Sequence, residues 1–259
     1  MSHFTRLVTK SACALLLLTT VQWSAYGGVT RISAEPLSHE TAIMQQPKQP
    51  QQALNTHSPN NLSSAFPQRV VIIDAGHGGI DGGTKYGDLL EKDINLAIAQ
   101  KLYLLLRSKG IPTILNRTGD YALSDDNRWS QVRSRHQRDL AQRRQLSKEI
   151  PTSLFVSIHV NWTKNQAKRG PIILHKDEGR SKMLAWVIQQ SLNPLYEVRN
   201  SVEVGSTYYL LRRVEHPAVI VETGFISNEA DRQLLTSAKG QATIASRICD
   251  ALIHFNALF

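Results

Sequence analysis

Four side chains in this sequence sit in settings that suit chemistry: His77, Glu91, His159 and Glu222. His77 lies in Asp74-Ala75-Gly76-His77-Gly78-Gly79, where an apolar run empties into a glycine-rich turn, and Glu91 follows fourteen residues later. His159 stands near the end of residues 153–161 (SLFVSIHVN), and Glu222 lies within residues 218–224 (AVIVETG). Two imidazoles and one carboxylate make the three-ligand set of a catalytic zinc, with a fourth position left for water, and such a site needs a further glutamate as base. Taken alone, the His77 stretch fits equally a tight turn with an incidental histidine or a phosphate-cradling loop. A second histidine and two glutamates in apolar contexts move the balance to a metal.

These residues need elements to bring them together. Residues 70–73 (VVII) are a continuous apolar run of the kind buried on both faces of a sheet, and so are the runs that carry His159 and Glu222. In open α/β sheets ligands bind outside the carboxyl ends of the strands, so three strand ends can converge although they are far apart in sequence. Glycines at 76, 78, 79, 82 and 83 let the backbone turn sharply and leave space beside His77. Residues 92–110 show a helical stripe closed by Gly110, residues 111–117 read as a strand and residues 140–150 as part of a helix. Further on, residues 170–176 and 207–213 read as strands, 179–192 as a helix between them, and 241–258 as a final helix whose stripe is core packing. The expected fold is α/β: a single domain with a central, mostly parallel or mixed sheet of about six strands flanked by helices, and the zinc site at the sheet's carboxyl edge.

The segments DAGHGG, LLEKD, LFVSIHVN and VETGFISN resemble the four motif blocks of the zinc-dependent N-acetylmuramoyl-L-alanine amidases, which cut the peptide stem from the glycan of bacterial peptidoglycan. The resemblance covers about residues 69–258. Within the family, the compact size, LLEKD, residues 138–143 (RDLAQR) and residues 216–222 (HPAVIVE) look most like the germination-related, CwlD-type amidases of endospore formers. The resemblance implies that His77, Glu91 and His159 hold Zn2+ and that Glu222 is the catalytic carboxylate. Ala75 stands where many relatives have proline, which costs turn rigidity and touches no ligand. The short middle segment also implies that a helix which occludes the zinc in some relatives is missing here, so the site should be open.

Once the roles are implied, each residue has a physical reading. Glu91 opens a helix, where the dipole holds a carboxylate ionised and ready to ligate. Glu222 takes the water's proton and passes it to the leaving amine, its basicity supported by burial beside Val219, Ile220 and Val221. Asp74 and Asn161 are candidates to orient His77 or His159. The arginine-rich run at 125–138 lacks a period and reads as a solvated face, but wall peptides carry carboxylates, so Arg138 and Arg143 are candidates to touch substrate. Tyr208 and Tyr209 are candidates to line a glycan groove, although a tyrosine pair in a strand is more often one buried and one exposed ring.

Composition bounds the rest. A length of 259 residues suits one domain with a substantial core. The net charge is +9, and residues 69–259 keep 26 basic against 19 acidic side chains. Aromatic and basic residues do not interleave as in single-strand binders, so an anionic cell wall fits the charge and nucleic acid does not. Cys13 and Cys249 are the two cysteines, too few for a disulfide framework or a thiolate metal site. Residues 1–30, with Arg6 and Lys10 ahead of an uncharged stretch, read as an export signal; cleavage after Ala25-Tyr26-Gly27 is favoured over retention as an N-terminal anchor. Residues 31–68, rich in Gln, Pro, Ser and Asn, read as a flexible linker, and residues 69–259 as the catalytic domain. The expected setting is outside the cytoplasmic membrane, in the cell envelope or spore cortex, with membrane contact only through the N-terminal segment. Peptidoglycan is the expected substrate and an activator or lipoprotein the expected partner. Two competing functions are a zinc peptidase acting on wall peptides and a non-catalytic wall-binding homologue.

Overall fold

A computed structural model describes residues 68–258. The export signal or anchor expected at 1–30 and the linker expected at 31–68 lie outside the described residues, but for Gln68. Eight strands and six helices alternate in the described residues. The main sheet has six strands in the order β4 (Thr113–Leu115), β1 (Val70–Ala75), β5 (Thr152–Asn161), β8 (Ala218–Phe225), β6 (Ile172–His175) and β7 (Glu203–Val204). β4, β1, β5 and β8 run parallel; β6 is antiparallel to β8 and β7 is parallel to β6. The mixed, mostly parallel α/β sheet expected from the sequence is the one observed. A two-stranded hairpin, β2 (Lys85–Tyr86) and β3 (Leu89–Leu90), stands apart from it.

Alternation along the strands decides which helix covers which face. Val71, Ile73, Leu154, Val156, Ile158, Val219 and Val221 point to the face covered by α1 (Glu91–Ser108), α3 (Gly179–Tyr196) and α6 (Ala238–Leu258). Val70, Ile72, Phe155, Ala218 and Ile220 point the other way, toward Leu140 and Leu146 of α2 (Arg135–Glu149) and Leu210 and Leu211 of α4 (Tyr209–Arg213). α5 (Glu229–Thr236) follows β8 directly. Asp74 and Glu222 continue the α2/α4 side of their strands, so the polar row begins where the apolar row of that face stops.

One element differs from the sequence reading. Residues 207–213 are not a strand: Leu210, Leu211 and Val214, spaced one and four apart, bury one side of the short helix α4, and the strand beside β6 is the earlier pair Glu203–Val204. The helix of which residues 140–150 were read as part is α2, which begins at Arg135 because Ser134 caps it by accepting the Gln137 N–H at 3.3 Å.

Candidate metal centre

Parallel register sets the site. Ala75 sits beside Ile158, the Gly76 N–H donates to the Ile158 carbonyl at 3.0 Å, and His159 pairs with Glu222 across β5 and β8. Gly76, His159 and Glu222 therefore form one row at the carboxyl edge. The chain then turns, and His77 takes a left-handed φ of 59°. The His77 and His159 rings meet edge to face, with centroids 4.9 Å apart.

Glu91 arrives from the first turn of α1. No side chain caps this helix; instead the Glu91 and Lys92 N–H groups donate to the Thr84 and Gly82 carbonyls at 2.9 and 3.1 Å, which docks the helix start on the glycine turn. The Glu91 carboxylate then points inward. Its Oε1 lies 2.9 Å from His159 Nδ1 and 3.2 Å from His77 Nε2, and it accepts the Val160 N–H at 3.0 Å; its Oε2 accepts the Thr84 N–H at 2.8 Å. Burial raises its pKa, but hydrogen bonds from His159 and His77 outweigh that and hold the carboxyl well below the usual range. Ligand atoms of His77, Glu91 and His159 all lie within 4.8 Å of one another, the reach of a single ion.

The residues present fit a zinc ion in both chemistry and space. Two imidazoles and a carboxylate are its donors. A Cβ on Gly76 would stand 2.4 Å from His159 Nε2, and one on Gly83 would stand 2.5 Å from Glu91 Oε2, so both glycines are needed for the donors to approach. A cavity of about 610 Å3 opens over the triad, walled by Trp162, Tyr208, Tyr209 and Leu210, and Glu222 faces into it. The Glu222 carboxylate makes no hydrogen bond among the described residues. Burial raises its pKa to about 7, with His159 drawing it down and Glu91 pushing it up. Its pKa is thus raised where those of Glu91 and Asp81 are lowered.

Asp74 does not touch either imidazole. It is buried in a network with Arg143 at 2.6 Å, Ser157 and Asn116. Arg143, read from the sequence as a substrate contact, is buried: besides Asp74 it binds Asp139 at 2.6 Å and donates to the Ala75 and His77 carbonyls at 2.9 and 2.8 Å, so it grips the His77 turn from behind and cannot reach substrate. Arg117 mirrors it, donating to the Ala75 and Gly76 carbonyls at 3.0 Å each. Arg138 closes the loop before α2 through the Val132 and Arg133 carbonyls, at 3.0 and 2.9 Å. Asn161 lines the cavity, but its Oδ1 accepts the Trp162 N–H at 2.7 Å and its side chain bonds neither imidazole. Tyr208 is exposed and Tyr209 half-buried, both on the cavity wall, where α4 replaces the expected strand.

Sequence reasoning missed Asp81 and Asn95. Asp81 Oδ2 lies 2.8 Å from His77 Nδ1 and fixes that ring; burial lowers the His77 pKa, but Asp81 and Glu91 together raise it to about 9. Asn95 Nδ2 donates to Glu91 Oε1 at 3.2 Å and to the Gly76 carbonyl at 3.3 Å. Asn95 stands four residues after Glu91 on α1, a spacing that puts two side chains on one helix face, whereas Asp81 reaches His77 across the glycine turn closed by the Gly78–Asp81 bridge.

A family model described as N-acetylmuramoyl-L-alanine amidase matches residues 71–254, and every residue of the triad, together with Glu222, falls inside the match. The chain belongs to this amidase family. It is 30% identical over 190 residues to the germination-specific N-acetylmuramoyl-L-alanine amidase of Bacillus subtilis, covering 72% of this chain and 79% of that one. AmiA of Escherichia coli is 26% identical over 248 residues, covering 78% and 81%. The CwlD amidase of Clostridioides difficile, solved in complex with the GerS lipoprotein, superposes with a TM-score of 0.69 at 33% identity, covering 74% of this chain and all of that one. The resemblance to germination-related amidases read from the motifs therefore holds in sequence and in fold. No helix among the described residues of this amidase is long and apolar enough to cross a membrane.

Proposed function

We propose that this amidase hydrolyses the bond between N-acetylmuramic acid and L-alanine in peptidoglycan with a zinc ion held by His77, Glu91 and His159 and with Glu222 as general base. The observation that carries this reading is the convergence of the three donors beside a buried carboxylate that has no partner of its own. Zinc bound there would lower the pKa of water and polarise the scissile carbonyl. Glu222, in the row beside His159, takes a proton from water on the cavity side and returns it to the departing amine of L-alanine. Asp81 and Glu91 hold the His77 ring between them, which fixes the orientation of one donor. Leu210 and Ile220 give the cavity an apolar floor beside Glu222, while Trp162 and Tyr208 stand at its solvent-facing wall.

For the biological setting the relatives' names give support. The Bacillus subtilis relative is germination-specific by name and the Clostridioides difficile neighbour is bound to a lipoprotein, which supports a role in germination and a lipoprotein as the partner; action on spore-cortex peptidoglycan for muramic-lactam formation is part of the same proposal. The basic charge and the signal-like residues 1–30 support action outside the membrane, with the leader cleaved.

Digesting purified peptidoglycan with the protein, with and without a chelator, and weighing the released fragments tests the chemistry. Free stems that begin with L-alanine and vanish on chelation are the expected result. Fragments cut within the stem would make it a peptidase, and no fragments at all a binding homologue. In the host, deletion should remove muramic-lactam from the spore cortex; normal lactam content would end the spore reading and leave the amidase reading standing.

A further inference from the structure

A second cavity of about 490 Å3 is built around two guanidiniums, Arg169 and Arg232, with Tyr86, Gln166, Ser227 and Asn228 on its walls. Arg232 lies 3.8 Å over the Tyr86 ring and donates to the Ile226 carbonyl at 2.8 Å. Arg169 donates to the Tyr196 carbonyl at 2.8 Å, and its Nε stands 3.9 Å from Asp231 Oδ1. Arg232 has no carboxylate within 4.0 Å among the described residues. Both side chains are thus already fixed in place while most of their N–H donors remain unused. Arg117 and Arg143 differ, since carbonyls and carboxylates of the His77 turn consume theirs. Glu229 also lines the cavity and Asp231 stands beside Arg169, so of the two guanidiniums Arg232 is the one left without an ion-pair partner among the described residues.

A fixed guanidinium fork suits a planar anion, a carboxylate above all, because the fork matches its two oxygens and the side chain loses little further freedom on binding. The two cavities draw on neighbouring residues of the same two stretches of chain. Tyr86 follows by two residues Thr84, which lines the catalytic cavity and donates its N–H to Glu91. Ser227 Oγ accepts the N–H of Thr163, next to Trp162 of the catalytic cavity, at 3.2 Å.

We propose that Arg169 and Arg232 bind a carboxylate of the peptide attached through the scissile amide, so that this second cavity selects substrates by the acidic groups of their peptide. The assignment rests on the amidase reading, in which a peptide chain starts at the cleaved L-alanine nitrogen. Extended chain advances about 3.3 Å per residue, so the first few residues beyond the cut can pass over the Thr84–Tyr86 wall and bring a carboxylate to the guanidiniums.

The test compares two N-acetylmuramoyl peptides, one with its carboxylates free and one with them amidated, on the metal-loaded full-length protein. The wild type should favour the free acid by about tenfold or more in kcat/KM, the scale of a charge-assisted hydrogen bond. Arg232→Gln should bring that ratio close to one, and Arg232→Lys, which keeps charge without the fork, should leave it in between. Thermal unfolding of each variant reports whether the Tyr86 stack has been lost together with the fold, and Arg169→Lys offers the same ratio from the other side of the cavity. An unchanged ratio in folded Arg232→Gln, or no preference in the wild type, overturns the proposal. Inhibition of the wild type but not of Arg232→Gln by inorganic phosphate, with both peptides cut alike, would assign the cavity to a phosphate and overturn it as well. Failure of the wild type to cut either peptide is a different result: it defeats the amidase reading, and this assignment with it.

Discussion

Gly76→Ala is the change that isolates the metal centre from the fold. Gly76 does not use the left-handed region, so alanine is tolerated by the backbone and by itself restricts the unfolded chain, a gain of about 0.4–1 kcal/mol. Its new Cβ, however, would lie 2.4 Å from both Cε1 and Nε2 of His159, where ordinary contact begins near 3.4 Å. The imidazole must therefore retreat by about 1 Å, several times the roughly 0.2 Å tolerance of a metal–ligand distance. It cannot retreat freely, because Nδ1 is bound to Glu91 Oε1 and the backbone is held by β1 and β8. We expect zinc affinity to fall by about a hundredfold, the upper range for disturbing the support of a ligand, with a melting temperature within a few degrees of wild type. Competition with a chromophoric chelator reads the affinity and calorimetry the fold. Gly87→Ala is the control: Gly87 has a φ of 57° and open space around it, so its alanine should cost about 1–2 kcal/mol of stability and leave metal affinity alone. Wild-type zinc affinity in Gly76→Ala would refute the packing argument and with it the use of His159 as a donor.

Three further outcomes follow from the same geometry. Glu222→Gln should keep its metal and lose about 10²–10⁴ in kcat, read by metal analysis and stem release; loss of metal would place Glu222 among the donors. His77→Ala should do the reverse and release the metal, and full occupancy would remove His77 from the site. Asp74→Asn leaves the buried Arg143 cation without that partner and should cost about 3–5 kcal/mol in urea unfolding at pH 7. Burial pushes the Asp74 pKa up, but Arg143 and Ser157 prevail and hold it below its ordinary 3.8. Its stabilisation is therefore complete above about pH 5 and is lost as pH falls through the depressed value, so Asp74→Asn should flatten the acid limb of the stability profile; an unchanged limb would assign it to other carboxylates.

The strands that carry His77, His159 and Glu222 were legible because each is a run of branched apolar residues ending in a polar one, and burial on both faces writes that pattern directly into sequence. The segment 207–213 was misread because Tyr208, Tyr209, Leu210 and Leu211 satisfy a strand's composition; only the docking of Leu210 and Leu211 against Ile72 and Ile220 makes it a helix. The Gly76 and Gly83 contacts were legible only as turn propensity, since the distance from their Cα atoms to His159 and Glu91 depends on tertiary placement.

Arg143 shows why a charged residue can be misjudged from composition alone. It lies in a helix with a solvated appearance, and a lone buried arginine is excluded on cost, so the sequence favours a surface or substrate role. Position decides otherwise: α2 covers the face of the sheet onto which Asp74 projects, and the carbonyls of residues 75–77 lie next to that carboxylate with no strand left to pair them. The Arg143 guanidinium binds Asp74 and the carbonyls of Ala75 and His77, and Arg117 takes the carbonyl of Gly76 and shares that of Ala75. A left-handed histidine costs roughly 1–2 kcal/mol, and it persists because two buried arginines fix its carbonyl neighbours while Asp81 fixes its ring. The donor edge is thus braced by Arg143 from α2 and by Arg117 from the loop after β4, and it opens on the side of Glu222 and the cavity.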